Sequence, residues 1–402
     1  MSDRFVQAIP AFRCRMRNLA PTVQSAPEPY CFGRKACSRR GWRLALISLM
    51  LGAFGLLSAC DDSTPPSSGF AGLAKPSQDY AQVSRGRPFV FPLDHGAHPD
   101  FRIEWWYVTA NLKDAQGQSF GIQWTLFRNA LRAHSSGTGW ADSNLWLGHI
   151  GLTSANQQRS AQYVGRGGVG QAGVSLQPFA AWIDNNALRS LTAPDSPDPL
   201  AHMALDGTGK DFSYHLQLRT THPPVLQGDA GYSQKSTQGQ ASYYYSQPFF
   251  QASGDIELDG KRYQVTGTAW LDREWSSQPL ADDQPGWDWL ALHLQDGSQL
   301  MLYRLRQNDG KHYLTANWID PDGHNQLLDA DALQLTPQTR TQVQGHSVPT
   351  RWTLSIPSKQ LQIDIEALNP NAWMALSTGY WEGPVHFSGS QQGVGYLEMT
   401  GY

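Results

Sequence analysis

Cysteine is scarce in this chain, and what there is lies at one end. The 402 residues hold four, Cys14, Cys31, Cys37 and Cys60. Nothing after Cys60 can close a disulfide, act as a thiolate nucleophile or build a cysteine zinc cluster. Long helical periodicity is nearly absent. No apolar run beyond residue 60 approaches the roughly 20 residues of a membrane-spanning helix. Basic blocks are missing downstream, and the formal net charge is −3. There is no Gly-x-Ser-x-Gly elbow, so a serine hydrolase has no support. Dinucleotide fingerprint, metalloprotease helix and heptads are also absent. Gly165-Arg166-Gly167-Gly168-Val169-Gly170 lacks the Lys-Ser/Thr of a phosphate loop and reads as a β connection.

Residues 44–60 supply the first positive signal. Arg34, Lys35, Arg39, Arg40 and Arg43 precede an apolar run from Leu44 to Leu57, which ends in Leu57-Ser58-Ala59-Cys60. A basic head, a short apolar middle and a small-residue cut site make a secretory signal. The last four residues resemble the bacterial lipobox, which implies diacylglycerol on the Cys60 thiol. Asp61 then favours retention at the inner membrane, and Ser38-Arg39-Arg40 resembles a twin-arginine export signal. The head before residue 34 is long for a signal, so Met16 is a candidate later start. Removing residues 1–59 takes away nine Lys/Arg and two Asp/Glu and leaves a net charge of about −10. Such a chain repels phosphate backbones, and nucleic acid is not expected as a partner. The expected address is the periplasmic side of a bacterial envelope, lipid-anchored, with Ser/Pro/Gly-rich residues 60–86 as a flexible tether.

From residue 87 the texture is β. Glu104–Leu112 and Phe120–Phe127 flank a turn at Gly117. Gly254–Leu258 and Arg262–Ala269 flank Asp259-Gly260, a favoured hairpin pair. Three more hairpins follow: Leu290–Leu294 with Gln299–Leu305, His312–Ile319 with Gln326–Leu328, and Trp352–Ile356 with Gln360–Ile365. Residues 371–376 read as a short helical turn. Trp105 to Arg128 can be laid over Trp287 to Arg306, each a Trp-led strand, a Gly turn and a strand ending in arginine. This points to tandem antiparallel barrels.

Four stretches carry a family resemblance. They are Phe91–His98 with Glu104-Trp105-Trp106-Tyr107; Gly267–Ser277; Gly286–Trp289 with Leu300–Arg306; and Gly395–Tyr402. Together they resemble the AttH-type proteins, sequence relatives of carotenoid 1,2-hydratase. The resemblance implies an all-β fold of two lipocalin-like barrels. The expected bounds are 87–270 for the first barrel and 271–402 for the second. It also implies either hydration of an isoprenoid double bond or an exported protein associated with an ABC transporter. In the hydratases a His and a Trp near the second motif, and a Tyr and an Asp on a following strand, are implied in the chemistry. The matching positions here are Arg273, Trp275, Tyr303 and Leu305. An arginine keeps its proton at physiological pH and a leucine has none to give.

The polar residues leave alternatives open. His95 and His98, beside Asp94 and Glu104, either bind metal or hydrogen-bond across a loop that closes a barrel end. The second reading is preferred, and no metal or cofactor is expected. Alternation sends Trp270, Asp272 and Glu274 to one face and Leu271, Arg273 and Trp275 to the other. Asp272 and Glu274 are an acid pair with Tyr303, or else part of an arginine–carboxylate network. Asp288 is a polar group in a pocket or the partner of Arg304 or Arg306. Trp105, Trp106, Trp275, Trp287 and Trp289, with Arg273, Asp288, His95 and His98, are the candidate ligand wall, placed inside a barrel. The leading expectation is a carrier of an apolar small molecule. An alkene hydratase is the second, and an adaptor with filled barrels the third.

Overall fold

The computed structural model describes residues 72–73, 79–134 and 137–402. Cys60, the leader and most of the tether lie outside the described residues. The described residues are 59% strand and 4% helix, so the all-β reading holds. No described helix is long and apolar enough to cross a membrane.

The first sheet runs through β1 (Ile103–Asp114), β2 (Ser119–Ala130), β3 (Asn144–Ser154), β4 (Gln158–Arg166), β5 (Ala172–Leu176), β6 (Phe179–Ile183), β7 (Asn186–Ser190), β8 (His202–Thr208), β9 (Phe212–Arg219), β10 (Val225–Leu226), β11 (Tyr232–Gln234), β12 (Ala241–Leu258) and β13 (Lys261–Ser276). The second has β14 (Gly286–Leu294), β15 (Gln299–Arg306), β16 (His312–Ile319), β17 (Asn325–Leu328), β18 (Gln334–Val343), β19 (His346–Ile356), β20 (Leu361–Ala367), β21 (Trp373–Met374), β22 (Tyr380–Gly389) and β23 (Gly393–Met399).

The two sheets share one plan. In the first, β1 lies between β2 and the last strand, β13; in the second, β14 lies between β15 and the last strand, β23. The Trp105–Arg128 and Trp287–Arg306 segments are therefore the same hairpin, β1–β2 and β14–β15, in two copies. All pairings are antiparallel, and the sheets form one nearly closed barrel and one half-barrel. The five hairpins read from the sequence all form. Asp259 and Gly260 both have positive φ, +51° and +78°, as the two-residue turn requires.

Three details depart from the sequence reading. The first sheet's last strand runs to Ser276, beyond residue 270. Continuous pairing with β1, Ile103 opposite Ser276, holds it there. Part of the tether is docked: Tyr80 Oη donates to the Ala130 carbonyl at 2.8 Å, and Ser84 N donates to Tyr243 Oη at 3.0 Å. Residues 371–376 are not helical. Trp373 pairs with Trp381 as strand β21, and its ring stacks on His346 with centroids 4.3 Å apart.

Alternation decides what each strand faces. Along β9, Phe212, Tyr214, Leu216 and Leu218 are buried while Ser213, His215, Gln217 and Arg219 point away from the core. On β1 both faces are covered. Trp106, Val108, Ala110 and Leu112 enter the first core, with Trp124, Phe250 and Trp275. Ile103 and Tyr107 point the other way, into a third cluster with Tyr244, Trp270, Trp289, Met301 and Tyr303. The second core holds Leu290, Leu292, Trp352, Trp381 and Leu397. The third cluster is the seam between the sheets, and β1, β13, β14 and β15 supply it from their outward faces.

Candidate active site

A cavity of about 430 Å³ opens in this seam. Its lining is mostly apolar: Trp105, Phe127, Leu145, Leu147, Trp287, Trp289 and Leu305. Among these stand Asp272, Glu274, Glu398, Lys235, Tyr244, Tyr303, His149 and Tyr380. The expected position inside a barrel is thereby corrected. The barrel interiors are packed cores, and the ligand-sized space lies between their outer faces.

Asp272 and Glu274 sit two apart on β13 and so share the seam face with Trp270. Asp272 Oδ2 accepts from Tyr244 Oη at 2.6 Å, and Oδ1 accepts from Trp270 Nε1 at 2.6 Å and from Ser246 Oγ. Burial pushes its pKa up to about 7, against the pull of those hydrogen bonds and with added repulsion from Glu274. Trp289 Nε1 donates to Tyr244 Oη at 3.2 Å, tying both sheets to the same hydroxyl. Glu274 pairs with Lys235 Nζ at 2.8 Å. The same ammonium lies 4.1 Å from the Tyr303 ring centroid and 5.0 Å from that of Tyr244. Tyr303 Oη donates to the Gln234 carbonyl and lies 3.0 Å from Ser233 Oγ.

The second sheet adds its own acids. Glu398 accepts from Trp287 Nε1 at 2.6 Å. Surrounding protein pushes its pKa up to about 7, and Asp272 and Glu274 add to the rise. Glu382 stands opposite Glu398 in the β22–β23 register. It accepts from Tyr107 Oη, and burial holds its pKa well above the carboxylate range. Tyr380 Oη lies 3.1 Å from His149 Nδ1. Burial depresses His149 to about 4, leaving it neutral at neutral pH.

The sequence-read candidates divide. Trp105, Trp287, Trp289, Asp272, Glu274 and Tyr303 line the cavity. Trp106, Trp275, Arg273, His95 and His98 do not; they belong to the first barrel's buried end. There Glu104 receives Arg128 Nε and Arg273 Nη2, and the His98 backbone N–H at 2.9 Å. Burial alone would raise the Glu104 pKa, but the two guanidiniums hold it far below the carboxylate range. The Arg273 guanidinium lies 3.8 Å from the Trp106 centroid, and the His98 and Trp275 rings stack at 3.9 Å. His95 Nδ1 is 2.7 Å from Tyr245 Oη. Both His98 nitrogens face carboxylates, Asp94 at 3.1 Å and Glu104 at 3.2 Å. Among the described residues no His/Asp/Glu group is arranged to hold a metal. Asp288 is likewise a core ion pair, held by Arg304 at 2.7 Å, Arg306 at 2.7 Å and Tyr402 Oη at 2.7 Å.

Arg273, Trp275, Tyr303 and Leu305, matched to the hydratase positions, therefore do not converge. The first two point into the barrel and the last two into the seam. Glu398, Tyr244, Lys235 and His149 were not singled out from sequence. Only Glu398 carried a readable mark, an acid between apolar Leu397 and Met399.

Known proteins share this architecture. A solved structure of an AttH protein from Nitrosomonas europaea is 32% identical, covering 80% of this chain and 99% of that one, with a TM-score of 0.69. Kievitone hydratase from Nectria haematococca matches at 16% identity over 81% of this chain and 97% of its own, TM-score 0.61, which speaks for the fold. Acyclic carotenoid 1,2-hydratase of Rubrivivax gelatinosus is 29% identical over 86 residues, only 21% of either chain. The AttH-like family model matches residues 82–402, and the chain belongs to that family.

Proposed function

We propose that the seam cavity hydrates a carbon–carbon double bond of an apolar, isoprenoid-like molecule. Asp272 carries this reading: a carboxyl kept protonated near neutral pH by burial, on the wall of an aromatic cavity. The named hydratases among the similar proteins support it. Protonation of one alkene carbon leaves a carbocation on the other, and the ring faces of Tyr244, Trp289 and Tyr303 stabilise it. Oδ1 of Asp272 already accepts two hydrogen bonds, so the acidic proton belongs on Oδ2, beside Tyr244. Water oxygen then bonds to the cation, its surplus proton passes to an ionised neighbouring carboxylate, Glu398 or Glu274, and return of that proton to Asp272 restores the acid. The net change is alkene plus water to alcohol. The test is incubation with acyclic isoprenoid alkenes in isotopically labelled water. The labelled tertiary alcohol should form with the wild type and drop by about 10²–10⁴-fold in Asp272→Asn. No alcohol from any alkene that binds would sink the reading.

Carriage of an apolar molecule is the second reading, supported by the mostly apolar lining. It predicts a ligand retained on the purified protein in native mass spectrometry, unchanged by Asp272→Asn. The acylated Cys60 anchor remains part of the proposal, tested by the intact mass of membrane-purified protein.

A further inference from the structure

A row of side chains leads out of the cavity. The β1–β2–β3–β4 register places Trp105, Phe127, Leu147 and Val164 side by side on the seam face of the first sheet. The first three line the cavity, while Val164 is 55% exposed on the edge strand. The next row is Ile103, Asn129, Leu145 and Arg166. Leu131, just past β2, also lines the cavity and is 63% exposed. Trp140, on the β2–β3 connection, is 76% exposed. Val169 is exposed on the β4–β5 loop, which packs against the Trp140 segment so closely that a Cβ on Gly168 would sit 2.3 Å from the Gly139 carbonyl. Four large apolar residues are thus exposed along this edge, one of them, Leu131, on the cavity wall.

Their neighbours are cationic. Arg132 is exposed. The Arg166 guanidinium lies 5.8 Å from the Trp140 ring and donates to the Trp140 carbonyl. Across residues 131–142 and 158–171 Asp142 is the one acid, against Arg132, Arg166 and Arg159, the last paired with Asp259 at 2.9 Å, in a chain that is otherwise net acidic. Asp142 is occupied by the Asn144 backbone N–H at 2.7 Å and Nδ2 at 2.8 Å.

We propose that this edge docks on an anionic lipid bilayer, and that an apolar ligand moves along the Val164–Leu147–Phe127–Trp105 row between bilayer and cavity. A tryptophan ring with adjacent arginines suits the headgroup boundary. Arginines attract anionic headgroups. An apolar ligand that stays on this row never crosses bulk water, which hydrophobic cost would otherwise oppose. The proposal needs only an apolar ligand and stands whether or not Asp272 turns that ligand over.

Hydrogen exchange on the full chain tests it. Vesicles of phosphatidylethanolamine with phosphatidylglycerol should slow exchange in segments 131–143 and 158–171. The 325–328 segment, which bears exposed Leu327, should be unaffected. Phosphatidylcholine vesicles should protect the same segments less. Arg132→Gln and Arg166→Gln should each weaken vesicle affinity about five-fold. Val164→Glu should abolish the protection without changing circular dichroism. A chain held by an N-terminal lipid alone, or one whose edge meets another protein, would show no protection in these segments. That result overturns the proposal, as would equal protection at Leu327 or equal protection by phosphatidylcholine.

Discussion

Tyr244 Oη lies 2.6 Å from Asp272 Oδ2 and also accepts from Trp289 Nε1, so one hydroxyl joins the acid of one sheet to an indole of the other. Tyr244→Phe removes that link and leaves Asp272 with its Oδ1 partners only. Without the Tyr244 hydrogen bond, which favours the ionised form, the Asp272 pKa rises further above 7. On the hydratase reading, turnover should then slow while its high-pH limb moves to higher pH. An unmoved limb in the rate profile would count against Asp272 as the acid.

Asp272 also links stability to pH. Its pKa rises from 3.8 unfolded to about 7 folded. Between these values the native state keeps a proton the unfolded state has lost. Its stabilising contribution is therefore full below about pH 4 and is lost as pH climbs towards 7. About three units correspond to on the order of 4 kcal/mol. Asp272→Asn should remove much of this slope. Denaturant midpoints of both proteins across that pH window check it.

Lys235 and Glu274 are both nearly buried and 2.8 Å apart. Lys235→Met leaves Glu274 as an uncompensated buried charge and should cost about 3–5 kcal/mol. The double variant Lys235→Met/Glu274→Gln should recover much of that in urea unfolding. Equal losses in single and double variants would mean that packing, rather than charge, sets the cost.

Arg273 should behave as a structural residue. Arg273→Met strands the fully buried Glu104 beside Arg128 alone and should lower stability by about 3–5 kcal/mol. Lysine should rescue it poorly, since Arg273 spreads its donors over Glu104, the Gly96 carbonyl and the Glu274 carbonyl. Ligand affinity of whatever folds should match the wild type, measured by tryptophan quenching.

Trp287 holds Glu398 with a 2.6 Å hydrogen bond. That bond lowers the Glu398 pKa, which burial raises to about 7. Trp287→Phe should move it higher. An infrared carboxyl titration reads the shift directly, and no movement would remove Trp287 as the controlling contact.

Much of the fold could be read because turns and alternation are local. Asp259-Gly260 declared its hairpin, and the Trp270–Trp275 alternation correctly separated Asp272 from Arg273. Period two separates two faces; it cannot say which one meets another sheet. Asp272 and Arg273 are both buried, 2% and 0% exposed, yet one lines a cavity and the other is locked in a core. That difference arises only when β13 is pressed between two layers. Lys235 lies outside any regular strand, in the segment between β11 and β12, and its place beside Glu274 follows from long-range packing. Asp288 and Glu398 carried the same mark, an acid in an apolar strand, and went to opposite faces of neighbouring strands.

Each sheet is sealed by its own final strand, and those strands bear the acids: Asp272 and Glu274 on β13, Glu398 on β23. A chain emerging in order from its N-terminus thus carries Asp272 and Glu274 before Trp287, Trp289 and Tyr303 of the opposite wall. The cavity lining is complete only once Gly393–Met399, the last strand of the molecule, is seated and brings Glu398 to it.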